Sequence, residues 1–374
     1  MTGSCGKTSA TYFLGKILGD HATCFVGVNQ NCRNSILNNL FKTRAHYRFF
    51  LHEAGVNVAG DMKKITALLR PKIGIVTTIG HDHHTSFRTL EATAAEKGEM
   101  IESLPGHGTA VLNADDSHVL SMQQRTRAAV LTYGVSEEAD VRATGVTSTW
   151  PERLALTVTF RGESIRVVTG LFGDTLVPSL LAAIAGALAA GVTLKQCERS
   201  LAGVEAFIRR QSIHPVPPGS WVVNDTFKAS YWGFDVAIAP LKEAISPRKT
   251  VVFGAFSDMG SGKESKKYRL LARRALDFAD RVIFVGSKAV YINKMMTPQH
   301  AGRLFAFENI QSAGRLLADD SIEDELIYLK SNSRLHLERV IVGQQEGFAC
   351  WREVCDKITD CSACKMSGLK PVSV

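Results

Sequence analysis

The sequence predicts an α/β protein made of two successive blocks, each a mostly parallel sheet covered by helices. Three observations carry that expectation. Short apolar runs of strand length alternate with helix-period segments along most of the chain. At 374 residues the chain exceeds what one hydrophobic core usually holds. Residues 2–8, TGSCGKT, form a glycine-rich loop that runs straight into the helical pattern of Tyr12, Phe13, Ile17 and Leu18. With 45% hydrophobic and 21% charged residues, the composition is that of a packed globular chain and not of a disordered or fibrous one.

In the first block, 1–206, residues 23–28, 46–51, 73–79 and 109–113 read as buried strands, with helices over 8–18, 65–69 and 90–104. No strand precedes the glycine loop. Residues 141–172 alternate in a way that predicts a small antiparallel excursion, with 154–160 and 164–169 as a hairpin around Gly162. Helices over 176–194 and 194–201 close the block. The first of these is free of charge at a length where a membrane span must be weighed. Pro178 in its first turn and Gly191 near its end suit a buried helix instead.

The second block, 207–374, carries strands at 221–224, 250–253, 281–285, 304–307 and 339–342, with helices between them. Pro215, Pro217, Pro218 and Gly219 mark a rigid turn near its start. The basic run 263–274 reads as a helix with a solvated face. Without an aromatic stacking platform it does not point to nucleic acid.

Lysine and arginine number 44 against 36 acidic residues, so the chain should favour phosphates, carboxylates or other anions. No secretory leader opens the sequence, and a cytoplasmic protein is expected. The eight cysteines, at 5, 24, 32, 197, 350, 355, 361 and 364, lack the dense even spacing of a disulfide scaffold, which fits a reducing compartment. Cys361 and Cys364 form a CxxC with Cys350 and Cys355 just ahead. The short link between Cys355 and Cys361 argues against two converging pairs, so no zinc is expected.

The chemistry concentrates at a few points. In TGSCGKT the glycines let backbone N–H groups close around phosphate oxygens and the helix start adds positive partial charge. Lys7 reaches the outer phosphates, and Thr8 offers a hydroxyl to Mg2+. Met1 stands where the full Walker pattern has glycine. RFFLHEAG delivers Glu53 at a strand end, where ligands of open α/β sheets bind, and such a carboxylate can hold a nucleotide's Mg2+. IGIVTTIG ends in His81, Asp82, His83 and His84, all metal-competent. On the residues alone, a zinc site, a metal-dependent hydrolase and a single histidine contributing to Mg2+ all stay open. Lys97, in AAEKGEMIE, reads by itself as a solvated helix lysine.

In this order, TGSCGKT, HEAG, TTIGHDHHTSF, EKGEM and VLNADD resemble the central domain of the Mur ligases (muramyl-peptide ligases), most closely the D-alanyl-D-alanine-adding, MurF-like branch. The resemblance implies a P-loop ATPase central domain over 1–206 and a Rossmann-like α/β C-terminal domain over 207–374. It implies ATP held by Gly3, Ser4, Cys5, Gly6, Lys7, Thr8 and Asn113. It also implies two Mg2+ ions, one shared by Thr8 and Glu53, the other held by His83 and by Lys97 as a carbamate, which turns a repelling ammonium into an oxygen ligand. In the second domain it puts Arg210 of RRQS near the transferred phosphate, with Arg209 as the near alternative. Asp225 and Phe227 of NDTFKAS fall at the ribose and the adenine, and GAFSDMG at 254–260 resembles a later glycine turn. The implied activity is an ADP-forming carboxylate-amine ligase working through an acyl phosphate, with Lys7, Lys97, His83 and Arg210 catalytic.

Departures from the family narrow the substrates to be expected. The N-terminal domain that reads the nucleotide-sugar carrier has no counterpart, so a uridine-linked muramyl substrate is not expected, and a partner chain could supply that part. Gly173, Asp174, Thr175 and Leu176 replace a helix opening with histidine and asparagine. VGQQEGFACW replaces a lysine-glycine-serine-arginine element, and Lys228 stands where that branch has asparagine. Small-molecule carboxylate and amine substrates are expected; nucleic acid and membrane are not. Two other classes compete: a nucleotide-binding partner subunit without ligase activity, and a P-loop phosphotransferase or hydrolase that uses the histidine cluster with water. Their products separate them, being nothing in one case and phosphate without amide in the other.

Overall fold

The structure, a computed structural model, describes residues 1–81, 87–357 and 359–369. The chain packs as two compact units, one of residues 1–148, 153–170 and 174–204, the other of 149–152, 171–173 and 205–374.

The first unit runs α1 (Lys7–Gly19), β1 (Cys24–Gly27), α2 (Arg33–Lys42), β2 (Phe49–His52), α3 (Asp61–Leu69), β3 (Ile73–Val76), α4 (Leu90–Glu102), β4 (Thr109–Asn113), α5 (Ser117–Leu120), β5 (Ala129–Gly134), β6 (Val141–Thr147), β7 (Ala155–Phe160), β8 (Glu163–Val168), α6 (Val177–Ala189) and α7 (Leu194–Leu201). Strands β3 to β6 are parallel neighbours, and the hairpin β7–β8 extends the same sheet in antiparallel fashion. Strands β1 and β2 form a parallel pair. Among the described residues no strand precedes the glycine loop, but Met1 and Thr2 lie between that pair and β3, where Thr2 makes a single parallel bridge with Val76. The Met1 amino group donates to His52 O at 2.9 Å and Ala54 N–H to Met1 O at 2.7 Å. On the other side Thr2 N–H donates to Ile75 O and Thr77 N–H to Thr2 O. Helix α6 is buried, with Pro178 in its first turn as expected, and at Gly186 a Cβ would stand 2.6 Å from Ile75 and 3.0 Å from Leu14. Among the described residues no helix is long and apolar enough to cross a membrane.

The second unit runs β9 (Ser212–Val216), β10 (Ser220–Asp225), α8 (Phe234–Glu243), β11 (Lys249–Phe253), α9 (Glu264–Leu276), β12 (Arg281–Val285), β13 (Leu304–Phe307), α10 (Ile310–Asp319), β14 (Leu326–Lys330) and α11 (Arg339–Val342). Its sheet has the order β13-β12-β11-β14-β10-β9, with only β9 antiparallel. Period-two alternation places Val251, Phe253, Phe284 and Tyr328 in one core and Val252, Ile283, Val285 and Leu329 in another, as a sheet covered on both faces requires. The proline-rich segment turns β9 into β10, and Pro215 lies on the edge strand, where a missing N–H is tolerated. One expectation fails: 339–342 is the short helix α11, and the strand inserted between β11 and β10 is β14. The β-branched RVIV suggests a strand, but Val342 N–H bonds back to Glu338 O and closes a helical turn.

Candidate functional site

The glycine loop and the start of α1 are built against the ends of β2 and β3. Gly6 caps α1 in the left-handed conformation (φ 80°), with no capping side chain and no acidic residue in the first turn. A helix end of that kind suits an anion, because its first N–H groups and its dipole are both positive. Gly3 (φ 145°) passes so close to β3's end that an added Cβ would stand 1.9 Å from Thr77 Oγ1. That hydroxyl donates to Cys5 O (2.5 Å) and Thr2 O (3.3 Å), while Ser4 N–H donates to Thr78 O (2.7 Å) and Cys5 N–H to Thr78 Oγ1 (3.3 Å). Asn113, at the end of β4, donates from Nδ2 to Thr77 O (2.9 Å) and accepts from Asp115 N–H (3.0 Å), so it stands beneath the loop's anchor.

Two ammonium groups converge on one loop carbonyl. Lys7 Nζ donates to Gly3 O, and Lys97 Nζ, from α4, donates to the same oxygen at 3.2 Å. Lys97 is 1% exposed, so the solvated-lysine reading of the isolated residue does not describe it. Like charges held together in a poorly solvated place favour the arrival of negative charge.

Glu53, fully buried just beyond β2, faces the start of α1. Its Oε1 accepts from Asn29 N–H (2.8 Å) and its Oε2 from the Thr8 hydroxyl (3.2 Å), which also lies 3.1 Å from Asn29 Oδ1. Hydroxyl, carboxylate and amide oxygens together form the hard donor set that suits Mg2+, an ion that takes one or two carboxylates and completes its shell with water and phosphate. Asn29 escaped the sequence reading; its only signal was an asparagine in a turn, where it adopts φ 57°. His52 steadies this corner: its Nε2 accepts from Asn39 Nδ2 (3.0 Å) and its Nδ1 donates to Glu53 O (2.7 Å). Burial lowers its pKa and favours the neutral ring that this pattern needs. His83 lies outside the described residues, with Asp82 and His84; His81 is described and exposed.

In the second unit, β10 delivers Asp225 at its carboxyl end, where its carboxylate accepts from Tyr328 OH (2.9 Å) and from Lys330 Nζ. Burial, then the Asp225 charge, pushes the Tyr328 phenol well above its ordinary range. The two arginines of RRQS part company. Arg209, left-handed (φ 61°) and 1% exposed, donates to Thr226 Oγ1 (3.0 Å) and Thr226 O (2.8 Å) and pairs with Glu338 (3.3 Å), so it supports the loop after β10. Arg210 is half-buried with its guanidinium 4.2 Å above the Phe227 ring. The GAFSDMG loop after β11 joins this loop through Ser257 N–H to Ala229 O (2.7 Å). Both loops thus stand at the carboxyl ends of parallel strands, where open sheets bind ligands.

Comparison with known proteins agrees with this geometry. Residues 1–187 match the model of the Mur ligase middle domain, half of the chain. The chain is 26% identical over 357 residues to UDP-N-acetylmuramoyl-tripeptide--D-alanyl-D-alanine ligase of Escherichia coli (strain K12), covering 94% of this chain and 77% of that protein. The identically named protein of Mycobacterium bovis is 26% identical over 329 residues, and there the chain spans only 62% of the relative's length. Among solved structures, MurF from Acinetobacter baumannii superposes with a TM-score of 0.80 at 22% identity, covering 91% of this chain and 74% of that one. The MurF ligase from Thermotoga maritima in complex with ADP gives a TM-score of 0.77 at 19% identity, covering 91% and 77%.

Proposed function

The chain belongs to the Mur ligase family, and from that premise we propose that it is an ADP-forming carboxylate-amine ligase that activates its acid with ATP. One observation supports this most: Lys7 and Lys97 meet on Gly3 O, while Thr8 and Glu53 meet 3.2 Å apart beside the same helix start. A triphosphate and a metal ion have complementary places there.

In this reading the loop N–H groups and Lys7 receive the outer phosphates of ATP. A substrate carboxylate oxygen attacks the γ-phosphorus, ADP leaves, and an acyl phosphate forms. The amine then attacks the acyl carbon, phosphate departs and the amine gives up a proton, leaving an amide. Thr8 and Glu53 would hold Mg2+, which supplies charge compensation for the phosphates. His83 and Lys97 are assigned to a second ion. Lys97 would first lose a proton, then add carbon dioxide at its amine nitrogen and give up a second proton from that nitrogen, so that a cation pressed against Lys7 becomes a carbamate anion attracted to it. Arg210 is assigned to the transferred phosphoryl group, Asp225 to the ribose and Phe227 to the adenine. Asn113 acts in this reading through Thr77 and the loop. The substrates are a small-molecule carboxylate and an amine, in a cytoplasmic setting. The names of the relatives suggest a peptide acid and a dipeptide amine as the first pair to try. A partner chain is retained as a source of carrier recognition.

The test is a screen of carboxylate and amine pairs for ADP and amide formation, repeated with Lys97→Ala. Amide with stoichiometric ADP is expected, and loss of about a hundredfold or more in the variant. Phosphate without amide would make the protein a hydrolase. Equal turnover in the variant would remove the carbamate from the mechanism.

A further inference from the structure

The C-terminal part of the second unit gathers four cysteines that the ligase chemistry does not use. Cys350, Cys355, Cys361 and Cys364 line one cavity of about 10 Å3 together with His336 and Arg339, the room of a single ion or water. All four are free thiols, Cys361 buried and the others half-buried. The four share this cavity without standing at a common ligating distance, since among the described residues no three of their sulfurs lie within 4.8 Å of one another; backbone bonds hold the segment around them. Ala349 N–H donates to Ser367 O (2.8 Å) and closes 349–367 into a loop, while Cys355 N–H is tied to Arg334 O (3.0 Å). Asp360 turns the chain at the CxxC by accepting from Ser362 N–H (2.9 Å).

Charge points the same way. Arg339 is 1% exposed, and its Nε donates to Cys361 Sγ at 3.2 Å and its Nη1 to Arg352 O. Among the described residues no carboxylate oxygen lies within 4.0 Å of its guanidinium. A buried cation needs counter-charge; the Glu338 carboxylate contributes some from beyond 4.0 Å, and the atom in direct contact is sulfur. Neutral thiols give none; thiolates bound to a metal give it in excess, since four of them on a dication leave two negative charges.

The donor atoms of His336, Glu338 and Cys361 lie within 4.8 Å of one another, yet the first two are committed elsewhere. His336 Nδ1 bonds Glu338 Oε1 (2.7 Å) and its Nε2 bonds Lys357 O (2.9 Å), while Glu338 Oε2 holds Thr226 (3.1 Å) and Arg209 (3.3 Å). Cys361 remains as the buried anchor of a thiol set. We propose that Cys350, Cys355, Cys361 and Cys364 form a tetrathiolate site for one zinc-class divalent cation, with Arg339 as its outer counter-charge. Binding breaks four S–H bonds, releases four protons to solvent and forms four metal–sulfur bonds without electron transfer. The other three sulfurs close in on Cys361 as they bind. The site abuts the network through which Arg209 holds Thr226. It reverses the sequence-based expectation of no zinc.

The full chain, purified from zinc-supplemented medium without chelator, is expected to carry about one zinc per chain by plasma mass spectrometry and no acid-labile sulfide. Cobalt exchange should give the charge-transfer absorption of a tetrahedral thiolate site. Alkylation with peptide mapping should find these four cysteines protected while Cys5 and Cys32 react. Cys361→Ser with Cys364→Ser should lower metal content at least about tenfold, and Cys24→Ser with Cys32→Ser should leave it unchanged. The proposal is overturned by an unaltered chain that takes up no stoichiometric zinc, by iron with labile sulfide, by a Cys361–Cys364 disulfide as the isolated form, or by full metal retention in the first double variant. Uptake and alkylation are read on the unaltered chain, so they decide the matter even if that variant does not fold.

Discussion

Replacing Gly3 by alanine probes the glycine loop at its tightest point. The new methyl carbon would start 1.9 Å from Thr77 Oγ1 and 3.0 Å from Thr78 N, at a φ of 145° that L-residues avoid. Backbone strain of this kind costs about 1–3 kcal/mol. Pushing the Thr77 hydroxyl aside also weakens its bond to Cys5 O, worth about 0.5–1.5 kcal/mol. The combined cost of about 2–4 kcal/mol must surface in one of two places. If the loop distorts, MgADP affinity falls by about 30-fold or more, as 1.4 kcal/mol is a factor of ten. If it holds its shape, the first unit loses the same free energy in urea unfolding. Calorimetric titration and a denaturation curve on one preparation capture both. Adding Thr77→Ala to the variant removes the colliding atom and should recover part of the loss. An alanine variant with both affinity and stability unchanged would refute the close approach of loop and strand.

Two further outcomes are expected in the second unit. Glu325, fully buried, accepts from Arg281 (2.8 Å) and Arg248 (2.6 Å), so Glu325→Ala leaves both guanidiniums with only the exposed Asp320 as ion-pair partner, at 2.7 and 3.4 Å; a loss of about 2–3 kcal/mol in urea unfolding is expected, and a loss under about 1 kcal/mol would mean that water and Asp320 already screen the pair. Burial pushes the Tyr268 phenol up to about 12, above its ordinary 10, where it accepts from Phe256 N–H (3.0 Å). The folded state holds this proton longer than the unfolded one, so the contribution is complete below pH about 10 and is lost as pH rises from there to about 12, amounting to about 3 kcal/mol. Tyr268→Phe should flatten that alkaline slope, and an unchanged slope would assign it to Tyr133 and Tyr328, whose phenols shift the same way.

Much of this architecture could be read from the residues. The bounds of β4, β12, β13 and α7 match the expected 109–113, 281–285, 304–307 and 194–201, because each is an apolar run or amphipathic turn closed by clear breakers. Other elements were hidden. α2 buries only Ile36 and Asn39, and its asparagines mask the period. β14 follows an acidic run without a turn signal, and its place between β11 and β10 is a property of the sheet alone. At the site, residue order pointed to Thr8 and Glu53 because their chemistry is local to motifs. Asn29, Asn39 and the buried role of Arg209 depend on partners remote in sequence, which no spacing announces. The cysteine loop is a similar case, since the Ala349–Ser367 bond that closes it leaves no trace in the spacing.

The lacing of the glycine loop to β3 has a thermodynamic corollary. With Thr77 and Thr78 already fixing Cys5 and Ser4, a polyphosphate bound as proposed would meet a receptor that is pre-formed, so little chain entropy would remain to be lost on association. Affinity at this end of the nucleotide should therefore be set by charge and desolvation, and it should fall steeply as ionic strength rises.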